Sequence, residues 1–280
     1  MVALGSVRSC GVTTLVAGLA ATWPTDRRVL VVEADPAGGT LAAASGWPPE
    51  PSLVSLAAAA RRGGDPALVW EHCHRLPEGA AVLAGPALGE QARHALGMLD
   101  SLLGRLGELD SDVLVDCGRL DPGSPVLDLW ARTARPVLVC RPRLVDLQAL
   151  ASWLEGRQLP GTVEVAVVGD GPYPDTEIAE ALGSAVLARM PWDPDAAEAL
   201  VSLPASSRQL RMAPLVRSAR TLADQLTRGQ GEVSTASDRP AAAEGGRSGR
   251  GAALGTRMLR PWRTDAWPRS NGSVPEEATR

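Results

Sequence analysis

The sequence predicts an α/β protein: a doubly wound, mostly parallel sheet with helices on both faces, followed by a disordered C-terminal tail. Three observations carry this. Short apolar runs such as Val29–Val32 and Val113–Val115 show no polar alternation, as expected of strands buried on both faces. Runs with helical spacing separate them, the order that gives a parallel sheet. Near residue 229 the branched apolar residues give way to Gly, Ser, Ala, Pro and Arg, a composition that buries too little apolar area to offset its ordering entropy. The predicted domain therefore spans 1–228 and the tail 229–280.

Taken in order, Val2–Val7 is an apolar strand and Thr13–Thr22 a helix of small residues. Val29–Ala34 is a buried strand broken only by Glu33, and Val82–Leu83 marks a third ahead of Gly85-Pro86. Leu88–Leu106 is helical, with Leu96, Leu99, Leu102, Leu103 and Leu106 on one face. Val113–Val115 and Val137–Cys140 are strands, and Leu144–Leu154 is a helix with Leu147, Leu150, Ala151 and Leu154 aligned. Val163–Val168, Glu177–Leu182 and Val186–Leu187 supply a strand, a helix and a last short strand.

The chain has 280 residues, of which 45% are hydrophobic and 21% charged, which excludes a wholly disordered protein. Its longest apolar runs fall short of the roughly 18 residues of a membrane span, and no basic stretch precedes an apolar leader. A cytoplasmic protein is expected. The net charge of −4 does not favour coating of DNA or of an anionic membrane. All 28 basic residues are Arg, so no chemistry here can use a lysine amine. Cys10, Cys73, Cys117 and Cys140 form no C-x-x-C pair. His72-Cys73-His74 lacks the second pair of ligands that a zinc site needs, so unpaired thiols are expected.

In a doubly wound sheet, ligands sit beyond the carboxyl ends of the strands. The first such loop, Gly5-Ser6-Val7-Arg8-Ser9-Cys10-Gly11, opens a helix at Val12-Thr13-Thr14. Small residues there offer backbone N–H groups and the positive end of a helix to an anion. The second strand ends in Glu33-Ala34-Asp35-Pro36-Ala37-Gly38-Gly39, which also reads as a turn and helix cap. A later apolar strand ends in Asp116-Cys117-Gly118, and a carboxylate so placed suits a hard cation.

In order and placement, these three loops resemble the ParA/MinD-type P-loop ATPases. Aligned on Thr13-Thr14, the K-G-G-x-G-K-T-T pattern of that family falls on residues 7–14. Both family lysines are replaced, by Val7 and Val12. Arg8 is the cation offered in their place, although it stands where the family has Gly. The resemblance, which covers about residues 1–228, implies a P-loop fold and nucleotide contacts from Arg8, Ser9, Cys10, Gly11, Val12, Thr13 and Thr14. It further implies Mg²⁺ on Thr13 and Asp116, and Asp35 facing water and the γ-phosphate. Asp170, after the strand 163–168, falls in an adenine-facing loop.

The implied cofactors are ATP and Mg²⁺, with a homodimer and a protein partner as implied associations. The lost lysines point to a degenerate ATPase that positions or recruits partners in chromosome partitioning, septum placement or related cell organisation. The surviving Thr13, Asp35 and Asp116 keep open an active ATPase cycling between monomer and dimer. Two side readings stay open as well. Cys10 and Cys117 are either packing residues or a redox pair closing the phosphate site. The cluster Leu254, Met258, Leu259 and Trp262, interleaved with Arg257, Arg260 and Arg263, is either part of a solvated linker or a weak anchor.

Overall fold

The computed structural model describes residues 1–236 except 25, 62–63, 77–78, 156, 158, 160–161 and 202–207, with the side chains of 208–209 and 229–236 also outside the description. The strands are β1 (Val2–Ser6), β2 (Arg28–Glu33), β3 (His74–Arg75), β4 (Ala81–Leu83), β5 (Ser111–Arg119), β6 (Arg135–Cys140), β7 (Glu164–Val168) and β8 (Val186–Met190). They form one sheet in the order β3-β4-β2-β5-β1-β6-β7-β8. Every described pairing is parallel except the edge pair β3–β4. The predicted mostly parallel, doubly wound sheet is what the chain adopts.

The helices are α1 (Val12–Thr22), α2 (Leu41–Ala44), α3 (Leu53–Ala60), α4 (Gly89–Gly104), α5 (Val126–Arg132), α6 (Leu144–Glu155), α7 (Asp175–Leu182), α8 (Pro194–Val201), α9 (Arg208–Met212) and α10 (Pro214–Ala236). On one face of the sheet, α1 packs against α8 and α10. The contact follows the helical spacing of α10, which buries Leu215, Val216, Ala219, Leu222, Ala223 and Leu226. These meet Leu15, Val16, Leu19 and Ala20 of α1 in one core with Val2, Leu4, Leu114 and Val137 of the sheet. Gly18 lets the helices approach, since a Cβ there would stand 3.2 Å from that of Ala219. On the other face α5 packs on β1, β5 and β6, and α4 packs on α3 and α5. Trp130 and Trp153 meet edge to face there.

Arg135 fastens α10 to the sheet. Its guanidinium forks onto Glu164 at 2.6–3.0 Å and donates to the carbonyls of Gln225 and Leu226. The helix continues to Ala236, so the boundary expected after Arg228 falls inside it. The composition shift at Gly229 registers the loss of apolar side chains, not the end of helical backbone bonding. Residues 237–280, including the Leu254–Arg263 cluster, lie outside the described residues. Among the described residues no helix is long and apolar enough to cross a membrane.

Candidate functional site

Strand order brings the candidate loops together. β5 lies between β1 and β2, with Leu4 opposite Asp116 and Glu33 opposite Asp116 in register. The loops after β1, β2 and β5 therefore open at one end of adjacent strands. The first crosses into α1 through Gly11, whose φ of 88° is a left-handed conformation that suits Gly. Val12 begins α1, so the N–H groups of its first turn have no helical partner. Nor does a side chain cap them. Ser9 and Gly11 are exposed, Thr13 and Thr14 are half-buried, and Cys10 is buried.

Asp116 lies at the centre. It is 0% exposed. Its Oδ1 accepts the N–H of Gly118 at 2.9 Å, while Oδ2 is buried with no partner at hydrogen-bond distance. Burial raises its pKa to about 7, the neighbouring Glu33 and Asp35 charges push the same way, and the Thr13 hydroxyl and the Gly118 N–H pull it down. A buried carboxylate with an unused oxygen beside a hydroxyl and a second carboxylate is a hard-oxygen donor set, which fits Mg²⁺. Among the described residues no three His, Cys, Asp or Glu side chains form a metal-holding group. A cation here would need further oxygens from a ligand.

Asp35 is held from two sides. Its Oδ1 accepts the N–H of Ala37 at 2.7 Å. Its carboxyl also covers the space a Cβ would occupy on Gly118, whose φ is 53°. Burial raises the Asp35 pKa, while the Ala37 N–H and Arg119 lower it. The turn itself is pinned by Gly39 N–H to the Pro86 carbonyl and by Arg93 to the Pro36 carbonyl.

Glu33, the acid inside the apolar β2, is a clamp. Its carboxylate accepts the N–H groups of Thr40, Leu41 and Gly85 at 2.6–2.9 Å, so it ties the Asp35 loop to the end of β4 with no acceptor directed at a ligand. Sequence reading missed the roles of Glu33 and Gly118. The signals were present: an acid inside an apolar strand, and a Gly two residues after Asp116.

Several residues of these loops also have partners within the chain. Arg8 lies 3.8 Å from Asp146 of α6, which engages its charge. Val12 packs into the apolar core. Cys10 faces Arg141, Asp146 and Cys140, whereas Cys117 sits near Asp116 and Asp35. All four cysteines are free thiols, so the Cys10–Cys117 link is not formed. His72 meets Ser55 at 2.8 Å and His74 stacks on Trp47.

A cavity of about 120 Å³ adjoins the first loop, lined by Cys10, Gly11, Thr14, Arg141, Trp192, Asp193 and apolar side chains. Asp170 lines a separate, more open cavity of about 460 Å³ with Arg189, Pro191, Arg217 and Thr221. Pro191 borders both cavities, and Val168, two residues before Asp170, lines the first.

Comparison with solved structures decides the architecture. A ParA family ATPase from Chlorobium tepidum superposes with a TM-score of 0.66 at 17% identity, covering 80% of this chain and 98% of the other. The chain has the ParA/MinD fold. The septum site-determining protein MinD from Pyrococcus horikoshii, solved with Mg-ADP, matches with a TM-score of 0.66 at 18% identity over 82% of this chain and 97% of its own. The MinC:MinD cell division complex of Aquifex aeolicus gives 0.56 at 13% identity over 81% and 94%. No family model and no curated protein sequence matches the chain.

Proposed function

We propose that this chain is a ParA/MinD-type nucleotide-binding protein that binds Mg-ATP weakly, hydrolyses it slowly or not at all, and recruits or positions a protein partner in cell organisation. The observation that carries the reading is the fully buried Asp116 carboxylate, with its unused Oδ2 and Thr13 nearby. Burying such a group costs several kcal/mol unless a charge partner compensates, and Mg²⁺ on a nucleotide is a partner of the right chemistry. Thr13 and Asp116 would hold the ion. The free N–H groups at the head of α1 would hold phosphate oxygens, and Asp35 would orient a water. Bound Mg²⁺ supplies neutralisation of phosphate charge. Loss of both lysines removes charge-assisted contacts, each worth on the order of 1.5–3 kcal/mol, which supports weak binding and poor turnover.

The alternative is an active ATPase that cycles between monomer and ATP-bound dimer. The turn that holds Asp35 supports it, because the carboxylate that would orient a water accepts the Ala37 N–H and lies against Gly118. Thermal unfolding and phosphate release test both readings. MgATP should raise Tm more than ATP with chelator, and Asp116→Ala should abolish the difference. Phosphate release no faster than that of Asp116→Ala supports the degenerate form, and faster release supports the active one. No Tm shift under either condition removes the nucleotide reading and leaves the fold.

A further inference from the structure

The head of α1 has no lysine, and the cation nearest to it in sequence, Arg8, is engaged by Asp146. A different cation faces the same space. Arg141, in the loop after β6, lines the cavity together with Cys10, Gly11 and Thr14. Its main-chain N–H faces the Cys10 sulfur, so the two loops are in contact. Its guanidinium lies 4.9 Å from the centre of the Trp192 ring, a cation–π contact that orients a planar group without using its N–H donors. Nε is buried and has no hydrogen-bond partner. Among the described residues Arg141 makes no ion pair.

The nearby carboxylates have partners of their own. Asp146 is engaged by Arg8, and Asp193 Oδ1 accepts the Ala196 N–H at 3.1 Å. A partly buried guanidinium with unspent donors, next to the open N–H groups of a helix start, is built for an oxyanion. The unpartnered, fully buried Asp116 oxygen near Thr13 independently marks this helix start as a ligand site.

We propose that Arg141 supplies the cation for the nucleotide's phosphates, replacing from the β6 loop the lysine missing from the β1 loop. The assignment rests on the nucleotide reading above. It makes the anion site composite: main-chain donors come from one loop and the positive charge from another, held in place by Trp192. The ligand class is a nucleoside di- or triphosphate, and the neutral nucleoside gains nothing from this residue.

Calorimetric titration of the full chain with ADP and with adenosine, in chelator, tests the proposal without turnover. For Arg141→Ala we expect ADP affinity to fall at least about tenfold while adenosine binding is unchanged. Arg141→Lys should retain most of the ADP affinity, because a point charge also serves phosphate. If Arg141→Ala does not fold, Arg141→Gln takes its place, since a neutral planar side chain can still lie on Trp192. Unchanged ADP affinity, or equal losses for ADP and adenosine, overturns the assignment while leaving nucleotide binding intact. So does a loss confined to Arg8→Ala. A wild-type chain that binds neither ligand, even with Mg²⁺ added, overturns the nucleotide reading and this assignment together.

Discussion

Asp116→Asn should make the metal-free protein more stable at neutral pH. The substitution keeps the shape and the acceptor for the Gly118 N–H, and it puts an uncharged amide where Oδ2 has no partner. The Asp116 pKa is raised by burial from an ordinary 3.8 to about 7. Folding therefore favours the protonated acid, so its stabilising contribution is complete below about pH 4 and lost as pH rises through about 7. At about 1.4 kcal/mol for each tenfold change in proton affinity, the loss comes to about 4 kcal/mol. About 3 kcal/mol of it falls between pH 5 and pH 8.

Urea unfolding in chelator at those two pH values measures the effect. Wild type should lose stability over this interval by about 3 kcal/mol more than Asp116→Asn. At pH 8 the variant should unfold at a midpoint higher by on the order of 1 M urea. Excess Mg-nucleotide should reverse the ranking, because only the carboxylate binds the ion. A variant less stable than wild type at pH 8 without metal would refute the reasoning, because Asp116 would then be stabilising the fold on its own.

Gly118→Ala brings a Cβ into the Asp35 carboxyl at a positive φ. It should cost at least about 1–2 kcal/mol in urea unfolding and remove the extra Tm gain from MgATP. Val12→Lys places an ammonium at a core position and should lower the Tm of the free protein, with a loss of about 1–3 kcal/mol. ADP should then raise the variant's Tm more than it raises that of wild type. Leu222→Ala opens a cavity between α10 and α1 and should cost about 2–5 kcal/mol by chemical unfolding. A chain ending at Arg228 keeps every described buried side chain and should melt within about 2 °C of the full chain.

Much of this architecture is legible in one dimension because its strands are buried on both faces. Val29–Val32, Val113–Val115 and Val137–Cys140 are continuous apolar runs whose ends mark the site loops. The two-residue edge strand His74–Arg75 is too short to show a period. The tie between Arg135 and two α10 carbonyls leaves no local pattern either. Thr13 stands at the start of α1, Asp35 just beyond β2, and Asp116 within β5, positions legible from the apolar runs. The clamp made by Glu33 was missed because the three main-chain donors that occupy it come from two other segments. Arg141 leaves no local signal either: it lines one cavity with Gly11 and Thr14 because of the strand order, which no spacing rule encodes. Arg8 stood out in sequence, and its diversion to Asp146 could not be read there.

The position of β1 at the middle of the sheet governs the order in which this protein can be built. During synthesis β1 has no partner until β5 and β6 exist, and the bond from Ser6 to Gly118 spans 112 residues. At about 5–20 residues per second, β1 and the glycine-hinged loop after it wait several seconds with their neighbours unsynthesised. The helix α1 waits longer, because its cover comes from α10. Closing such distant pairs costs chain entropy before any contact compensates, so folding of the intact chain should be slow, and its N-terminal third should remain susceptible to protease until synthesis passes Leu226. The loop after β1 is made before every segment that packs around it, and α1 stays uncovered in any fragment lacking α10.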